Sequence, residues 1–339
     1  MPPESSRAWS TGHDVAARAL DAVLEATIVA SFSRVGATVR RATQGWAPVA
    51  SMEGRTILVT GASSGIGRAS AIALSRAGAD LWVTGRDEGR LEELAERIRA
   101  GGTTVRTAAL DVTDATRVDD LARRIADDPA GLSGIIHSAG ALTHEYATNA
   151  QGVETTIATH VLAPFRLTLR LAPLLRAAKR STIVTVASGG MYTERFELSR
   201  LEMGPDDYDG VKAYARAKRA QVLLAHEWSR RWARDGVRSY VMHPGWTDTP
   251  GLATSLPTFH RLGPLLRRVD EGADTAVWLT SGAAGETGTT SGIWLDRRPR
   301  GEYYLPWTRP RRSARADGED LWRWCERRGG LDGSGASSQ

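Results

Sequence analysis

Thr56-Ile57-Leu58-Val59-Thr60-Gly61-Ala62-Ser63-Ser64-Gly65-Ile66-Gly67 decides the fold of this 339-residue chain. The first five residues spell a short buried strand. A glycine-rich turn follows at once, and residues 65–78 read as a helix ending at a glycine. Glycines allow a tight turn and close approach of backbone to a ligand. The helix N-terminus adds free N–H groups and the positive end of a dipole. Together these suit a pyrophosphate. The spacing is Gly-x-x-x-Gly-x-Gly rather than the commoner Gly-x-Gly-x-x-Gly, so its position in the first strand-to-helix unit carries the reading.

Strand and helix alternate outward from there. Strands are expected over 81–84, 105–110, 134–137, 182–187, 237–242 and 291–295. Helices are expected over 87–100, 114–127, 153–178 with a kink at Pro164, 208–234 and 270–281. Crossovers of this kind predict an α/β fold: a single Rossmann-type, doubly wound parallel sheet with helices on both faces. The organisation expected is an N-terminal extension over 1–50, a catalytic domain over 51–308 and an Arg-rich C-terminal tail over 309–339, partly disordered. Within that tail, Leu321-Trp322-Arg323-Trp324-Cys325 reads as a short amphipathic piece that docks on the domain.

Residues 1–14 read as a mobile end. Over 15–41, Leu20, Leu24, Ile28, Phe32, Val35 and Val39 recur at three- and four-residue spacing, which predicts a helix with one apolar stripe. Two readings stay open. The helix packs on the main domain, or it lies at a membrane surface with Arg34, Arg40 and Arg41 on anionic lipid. The apolar run 23–32 is too short to span a bilayer.

Composition narrows the rest. Hydrophobic residues at 41 % and charged residues at 24 % exclude a wholly disordered chain, a collagen-like fibre and a polytopic membrane protein. One cysteine, Cys325, excludes an intrachain disulfide and a multi-cysteine zinc site, and fits a reducing, cytoplasmic setting. His13, His144, His226 and His260 lack ligand spacing, so no metal is expected. Net charge is +5, and ten Arg against five acids between Arg297 and Arg328 account for all of it. That leaves no basic groove across the fold. With no reading motif either, no nucleic-acid partner is expected.

Two further stretches carry chemistry. Thr84-Gly85-Arg86 ends the second strand without a carboxylate for a ribose 2′-OH, and Arg86 suits a 2′-phosphate. NADP(H) is favoured over NAD, with the adjacent Asp87 pulling the other way. Tyr214 and Lys218, four apart in Tyr214-Ala215-Arg216-Ala217-Lys218, share a helix face. An ammonium near a phenol favours phenolate and lowers its pKa from about 10. Such a tyrosine gives a proton to a carbonyl oxygen or takes one from an alcohol.

Taken in order, Thr60 to Gly67, Asp111-Val112, Ser138-Ala139-Gly140, Ser188, Tyr214/Lys218 and Pro244-Gly245 resemble the short-chain dehydrogenase/reductase family. The likeness is closer to its member-twelve branch. Ala187-Ser188-Gly189-Gly190-Met191, Lys218-Arg219-Ala220-Gln221, the run from Met242 to Gly251, Gly272-Ala273-Asp274-Thr275 and Asp296-Arg297 carry it. The resemblance implies an NAD(P)(H)-dependent oxidoreductase moving a hydride between nicotinamide and a carbonyl or alcohol. It makes Tyr214 the acid/base, Ser188 a hydrogen-bond partner of the substrate oxygen, and Lys218 the ligand of the nicotinamide ribose. Gly61, Ser63, Ser64, Gly65, Ile66 and Gly67 would cradle the phosphates. Asp111 and Val112 would meet the adenine, Ser138, Ala139 and Gly140 the adenosine side, and Pro244, Gly245, Trp246, Thr247 and Thr249 the carboxamide end.

Two departures stand out. The family places a relay-water Asn in the long helix, and His160 aligns there. His160 then joins the relay, binds substrate or marks weak catalysis, or it is a packed histidine with no role. His137-Ser138 replaces Asn-Asn. The Ser188 to Tyr214 interval is 26 residues, longer than in compact members. The added segment, roughly 192–209 with Tyr192, Phe196, Leu198, Leu201 and Met203, is expected to wall the substrate pocket. Leu252, Leu256, Phe259 and Leu262 are expected to form the other wall or a lid. Both segments point to a hydrophobic small-molecule carbonyl or alcohol. The resemblance also implies homo-oligomers through the long helices, unless the terminal segments cover them. The alternative function is an NADP(H)-binding regulator or scaffold with little turnover.

Overall fold

Every residue of β1 (Thr56–Thr60) is buried, as a strand covered by helices on both faces requires. The computed structural model describes residues 17, 19–25, 27–178, 180–285 and 290–331. The expectations for residues 1–14, for His13, for the Phe259 side chain and for the Gly/Ser-rich end lie outside the described residues. β1 pairs in parallel with β2 (Asp80–Gly85) and with β4 (Gly134–His137). β3 (Val105–Ala109), β5 (Ser181–Val186), β6 (Val237–Met242), β7 (Ile293–Leu295) and β8 (Arg298–Arg300) complete the sheet. Its order is β3-β2-β1-β4-β5-β6-β7-β8. The winding reverses between β1 and β4, and a ligand crevice opens there at the C-terminal strand ends.

Helices Gly65–Arg76, Glu88–Arg99 and Val269–Thr280 cover one face over Ile57, Val59, Leu81 and Tyr240. Helices Ala115–Ala126, Ala163–Ala177 and Gly210–Trp232 cover the other over Leu58, Ile135 and Ile183. Alternate residues of one strand thus feed opposite cores. Helix Ala314–Arg328 docks on the second face through Leu321, Trp322 and Cys325. The Trp322 ring is T-shaped to Phe165 at 4.9 Å, and the Arg231 guanidinium lies 3.9 Å over it.

The long helix is irregular just before the proline. It starts as Thr155–Ile157, widens to a π turn at Ala158–Leu162 and continues as Ala163–Ala177. Pro164 has no N–H for the carbonyl four residues back, which is that of His160. The Gln221 side-chain amide takes that carbonyl instead, at 2.8 Å.

The N-terminal stripe departs from expectation. The helix is interrupted at Thr27 and Ser33, both extended, giving Ile28–Phe32 and Arg34–Thr43. Each interruption rotates the register. Leu24 and Phe32 remain buried, but Leu20, Ile28 and Val35 are exposed, together with Val23 and Val29. Asp21, Ser31, Ala37 and Arg40 are buried in their place. Arg40, lipid-facing on the interfacial reading, is fully buried and ion-paired at 2.7 Å to both Asp21 and Asp296. A guanidinium engaged this way is not available to a membrane.

The expected last strand continues into a hairpin. β7 and β8 are joined by Asp296-Arg297, whose φ values are 52° and 60°. Tight hairpins need this left-handed backbone and usually take Gly or Asn there. A residue with a side chain costs about 1–3 kcal/mol. Ion pairs offset the cost: Asp296 sits between Arg267 and Arg40, and Arg297 forks onto Asp274 with two bonds of 2.7 Å. Asp-Arg is not a turn signature, so nothing in the local pattern announces β8.

Candidate active site

The phosphate loop is shaped by what a side chain would strike. A Cβ on Gly61 would lie 2.7 Å from the Ala139 Cα, and one on Gly67 would lie 2.3 Å from the Gly61 carbonyl oxygen. Gly65 adopts φ 52°, which only glycine takes without strain. Close behind it, Ser64 N-caps helix Gly65–Arg76 without using its hydroxyl for the cap. The loop is tied to β4 through Thr60, whose hydroxyl accepts from the Ser138 and Ala139 amides at 3.1 Å each. His137 points the other way, into the core, and bonds Thr168 at 2.8 Å.

A cleft of about 480 Å³ runs from this cradle across the strand ends. The positions expected from sequence to serve catalysis or the cofactor all line it except His160. Arg86 is exposed at the end of β2 and lines the cleft. Asp87 does not line it. Its carboxylate caps helix Glu88–Arg99 by accepting from the Arg90 amide at 3.0 Å. The glycine cradle and helix N-terminus therefore fit a diphosphate, and Arg86 fits a further phosphate.

Ser188 follows the end of β5, and Tyr214 and Lys218 project from helix Gly210–Trp232. The Ser188 hydroxyl and the Tyr214 phenol face the same cleft. The Lys218 Nζ donates to the Val186 carbonyl at 2.9 Å and lies 5.5 Å from the Tyr214 ring centre. Burial pushes the Tyr214 phenol above its usual range, and the neighbouring Ser188 hydroxyl pulls against that. This differs from the lowering expected of a neighbouring ammonium. The reason is that burial also acts on Lys218 and pushes it down to about 7.

His160 sits behind the site. It is fully buried, its ring stacks against Gly140, and its Nε2–H donates to the Ala141 carbonyl at 2.9 Å. Burial first, then the Lys218 charge, push it down to about 3, while the Ala141 bond opposes them. A neutral imidazole results, and it does not line the cleft.

The expected walls divide. Leu252 and Leu256 line the cleft, whereas Tyr192, Phe196 and Leu201 belong to the core and Met203 is buried away from the cleft, with Tyr192 beside Phe32 of the N-terminal segment. Leu142, Thr143, Thr155 and Thr156 line the cleft instead. Tyr208 ties two of these together, bonding Thr143 at 3.2 Å and Thr156 at 2.9 Å, and it donates to Glu154 at 3.1 Å. Helix Pro250–Ser255 meets that rim. His144 bonds the Ser255 carbonyl at 2.8 Å, and the Ser255 hydroxyl donates to Leu142 at 2.8 Å. No motif marks these threonines; only their approach in space does. Among the described residues no group of His, Cys, Asp and Glu is arranged to hold a metal, and no helix is long and apolar enough to cross a membrane.

The family model for short chain dehydrogenases matches residues 55–258. Dehydrogenase/reductase SDR family member 12 of Bos taurus is 33 % identical over 250 residues, covering 73 % of this chain and 78 % of its own. A Streptomyces sp. (strain C5) protein provisionally named daunorubicin C-13 ketoreductase DnrU is 35 % identical over 254 residues, 74 % and 86 % of the two chains. The crystal structure of a 3-oxoacyl (acyl-carrier-protein) reductase from Agrobacterium tumefaciens C58 with NADP bound superposes with a TM-score of 0.57 at 26 % identity, covering 70 % of this chain and 91 % of that one. A matching family model over most of the sheet, a nucleotide cradle at the switch point and relatives at this identity lead to one conclusion: the chain belongs to the short-chain dehydrogenase/reductase family of NAD(P)-dependent oxidoreductases.

Proposed function

We propose that this protein is an NADP(H)-preferring reductase of an uncharged, largely apolar carbonyl compound. The observation that carries the reading is the meeting of Ser188, Tyr214 and Lys218 in one cleft with the glycine cradle. Tyr214 gives its phenolic proton to the carbonyl oxygen, and Ser188 bonds the same oxygen. Lys218 holds the nicotinamide ribose, and Pro244 to Thr249 hold the carboxamide end. The nicotinamide supplies the hydride when bound. A phenol kept protonated by burial is ready as an acid, which favours the reductive direction. His160 acts as a positioning residue through Tyr214 and Gly140.

Cofactor preference follows from Arg86 facing the cleft while Asp87 is occupied as a cap. Substrate class follows from charge. Among the described lining residues only Arg86, Asp111 and Lys218 are charged, and this reading gives all three to the cofactor. The lining left for a substrate includes Leu142, Leu252 and Leu256 with hydroxyls from Thr143, Thr155 and Thr156. The Streptomyces relative is named for a ketone substrate, in keeping with this. Purified full-length protein should oxidise NADPH faster than NADH with apolar ketones or aldehydes, read from the loss of reduced-nicotinamide absorbance. Failure to turn over any carbonyl, with no thermal shift on adding NADPH, refutes the reading.

Location is a separate proposal: a cytoplasmic enzyme resting on an anionic membrane through its N-terminal helices. Val23, Val29, Ile28 and Val35 are exposed there beside the exposed Arg34 and Arg41. Full-length protein should co-sediment with anionic vesicles and V23S/V29S should not; equal behaviour of the two removes the idea.

A further inference from the structure

The loop proposed above to hold the nicotinamide is braced from behind by the N-terminal segment. The Trp246 amide donates to the Phe32 carbonyl at 2.8 Å, and the Trp246 carbonyl accepts from the Arg267 amide at 2.7 Å. The Asp248 amide donates to the Arg267 carbonyl at 2.8 Å. The Phe32 ring lies 4.4 Å from His243, at the root of the loop. The front of the loop lines the cleft, and Thr249 approaches Gly65 of the phosphate cradle.

Arg267 is the keystone of the back side. Its guanidinium packs flat on Gly245, where a Cβ would lie 2.2 Å from Nε. It donates to the Ser31, Phe32 and Ser33 carbonyls at 2.8, 3.0 and 3.2 Å. It also forks onto Asp296 at 2.6 and 2.9 Å. Arg40 closes the other side. It donates to Asp296 and Asp21 at 2.7 Å each, and to the Ser31 carbonyl at 3.1 Å. Arg300 completes the pairing with Asp21 at 2.9 and 3.0 Å. Arg40 and Asp296 are 256 residues apart, and neither lines the cleft.

We infer that Arg40, Asp296 and Arg267 are positioning residues for nicotinamide binding, through which the N-terminal segment holds the Pro244–Thr249 loop in its binding geometry. The inference rests on the reading of that loop as the carboxamide site. It makes residues 31–40 part of the cofactor machinery and not a removable extension. It also separates the two halves of the cofactor, because the adenosine end at Arg86 and Asp111 has no contact with this cluster.

The test is isothermal titration calorimetry on full-length protein with two ligands, NADP⁺ and adenosine 2′,5′-bisphosphate, which lacks the nicotinamide half. Arg40→Met should weaken NADP⁺ at least tenfold and leave the bisphosphate within twofold. A merely structural role for Arg40 would weaken both alike or neither, and either result overturns the inference. Should Arg40→Met fail to fold, Arg40→Lys decides. It keeps the charge but not the fork, so NADP⁺ should weaken at least threefold with the bisphosphate unchanged, and an unchanged NADP⁺ affinity overturns the inference. Wild-type protein that binds neither ligand overturns the cofactor reading itself, and this inference falls with it.

Discussion

The imidazole of His160 stands perpendicular to the phenol of Tyr214, ring centres 5.1 Å apart. Its Nε2–H is spent on Ala141, and its Nδ1 has no partner within the protein. The carbonyl of the same residue is held by Gln221, one turn beyond Lys218 on the helix that carries Tyr214. His160 therefore joins the long helix to the one carrying Tyr214 by ring and backbone together. It shapes the site without titrating in it.

A neutral His160 is directly observable. Burial pushes it down to about 3, so its ring should keep the Nε2–H tautomer from pH 5 to pH 8 in nitrogen-15 NMR spectra. A His160 resonance that titrates inside that window refutes the assignment.

The same ring makes Gly140 indispensable. A Cβ there would lie 2.3 Å from the His160 Cε1. Gly140→Ala should cost about 1–3 kcal/mol by overpacking. It should also lower kcat more than cofactor affinity, because the displaced ring presses on Tyr214. Chemical denaturation and steady-state kinetics check the two effects.

Stability should fall in acid well above the carboxylate range. His137, His160 and His243 are each pushed by burial to about 3, against about 6.5 in the unfolded chain. Below 6.5 the unfolded state binds protons that the folded state refuses, so stability is full above that pH and is lost on descent toward 3. The urea midpoint should decline steadily from pH 6.5 to pH 4. A flat midpoint over that interval refutes the prediction.

Lys218 links cofactor binding to pH. In the protein alone, burial pushes its ammonium down to about 7. A ribose and diphosphate beside it favour the ammonium, so binding above pH 7 must take up a proton. NADP⁺ affinity should drop as pH rises from 7 to 9, with proton uptake visible as a buffer-dependent binding enthalpy. Equal enthalpies in phosphate and Tris at pH 8 would falsify this.

Tyr214→Phe removes the acid without altering the cradle. The rate of carbonyl reduction should fall by about 10²–10⁴, while NADPH binding stays within a few-fold. Arg86→Ala should weaken NADPH by roughly tenfold, the worth of one phosphate-directed cation, and leave NADH unchanged. Parallel loss of both cofactors would show Arg86 to be structural.

The order of strands and helices, the phosphate loop and the Tyr214/Lys218 pair are legible in the chain alone. Each is a local pattern: a buried β-branched run, glycines at a turn, two residues one helical turn apart. The Ser188 position, the adenosine side and the carboxamide loop are legible only through family likeness, since nothing about their spacing states a role. Tertiary structure alone decides the rest. Two interruptions at Thr27 and Ser33 turned a plausible apolar stripe outward and drew Arg40 into a buried ion cluster. Tyr192, Phe196 and Leu201 went to the core and the threonines at 143 and 156 to the cleft. The Asp296-Arg297 hairpin exists because distant guanidiniums and an aspartate hold a backbone that its own residues disfavour. The physical reason is common to all of these. Periodicity reports what one segment prefers, whereas burial, ion pairing and the fate of a lone carbonyl depend on partners that lie hundreds of residues away.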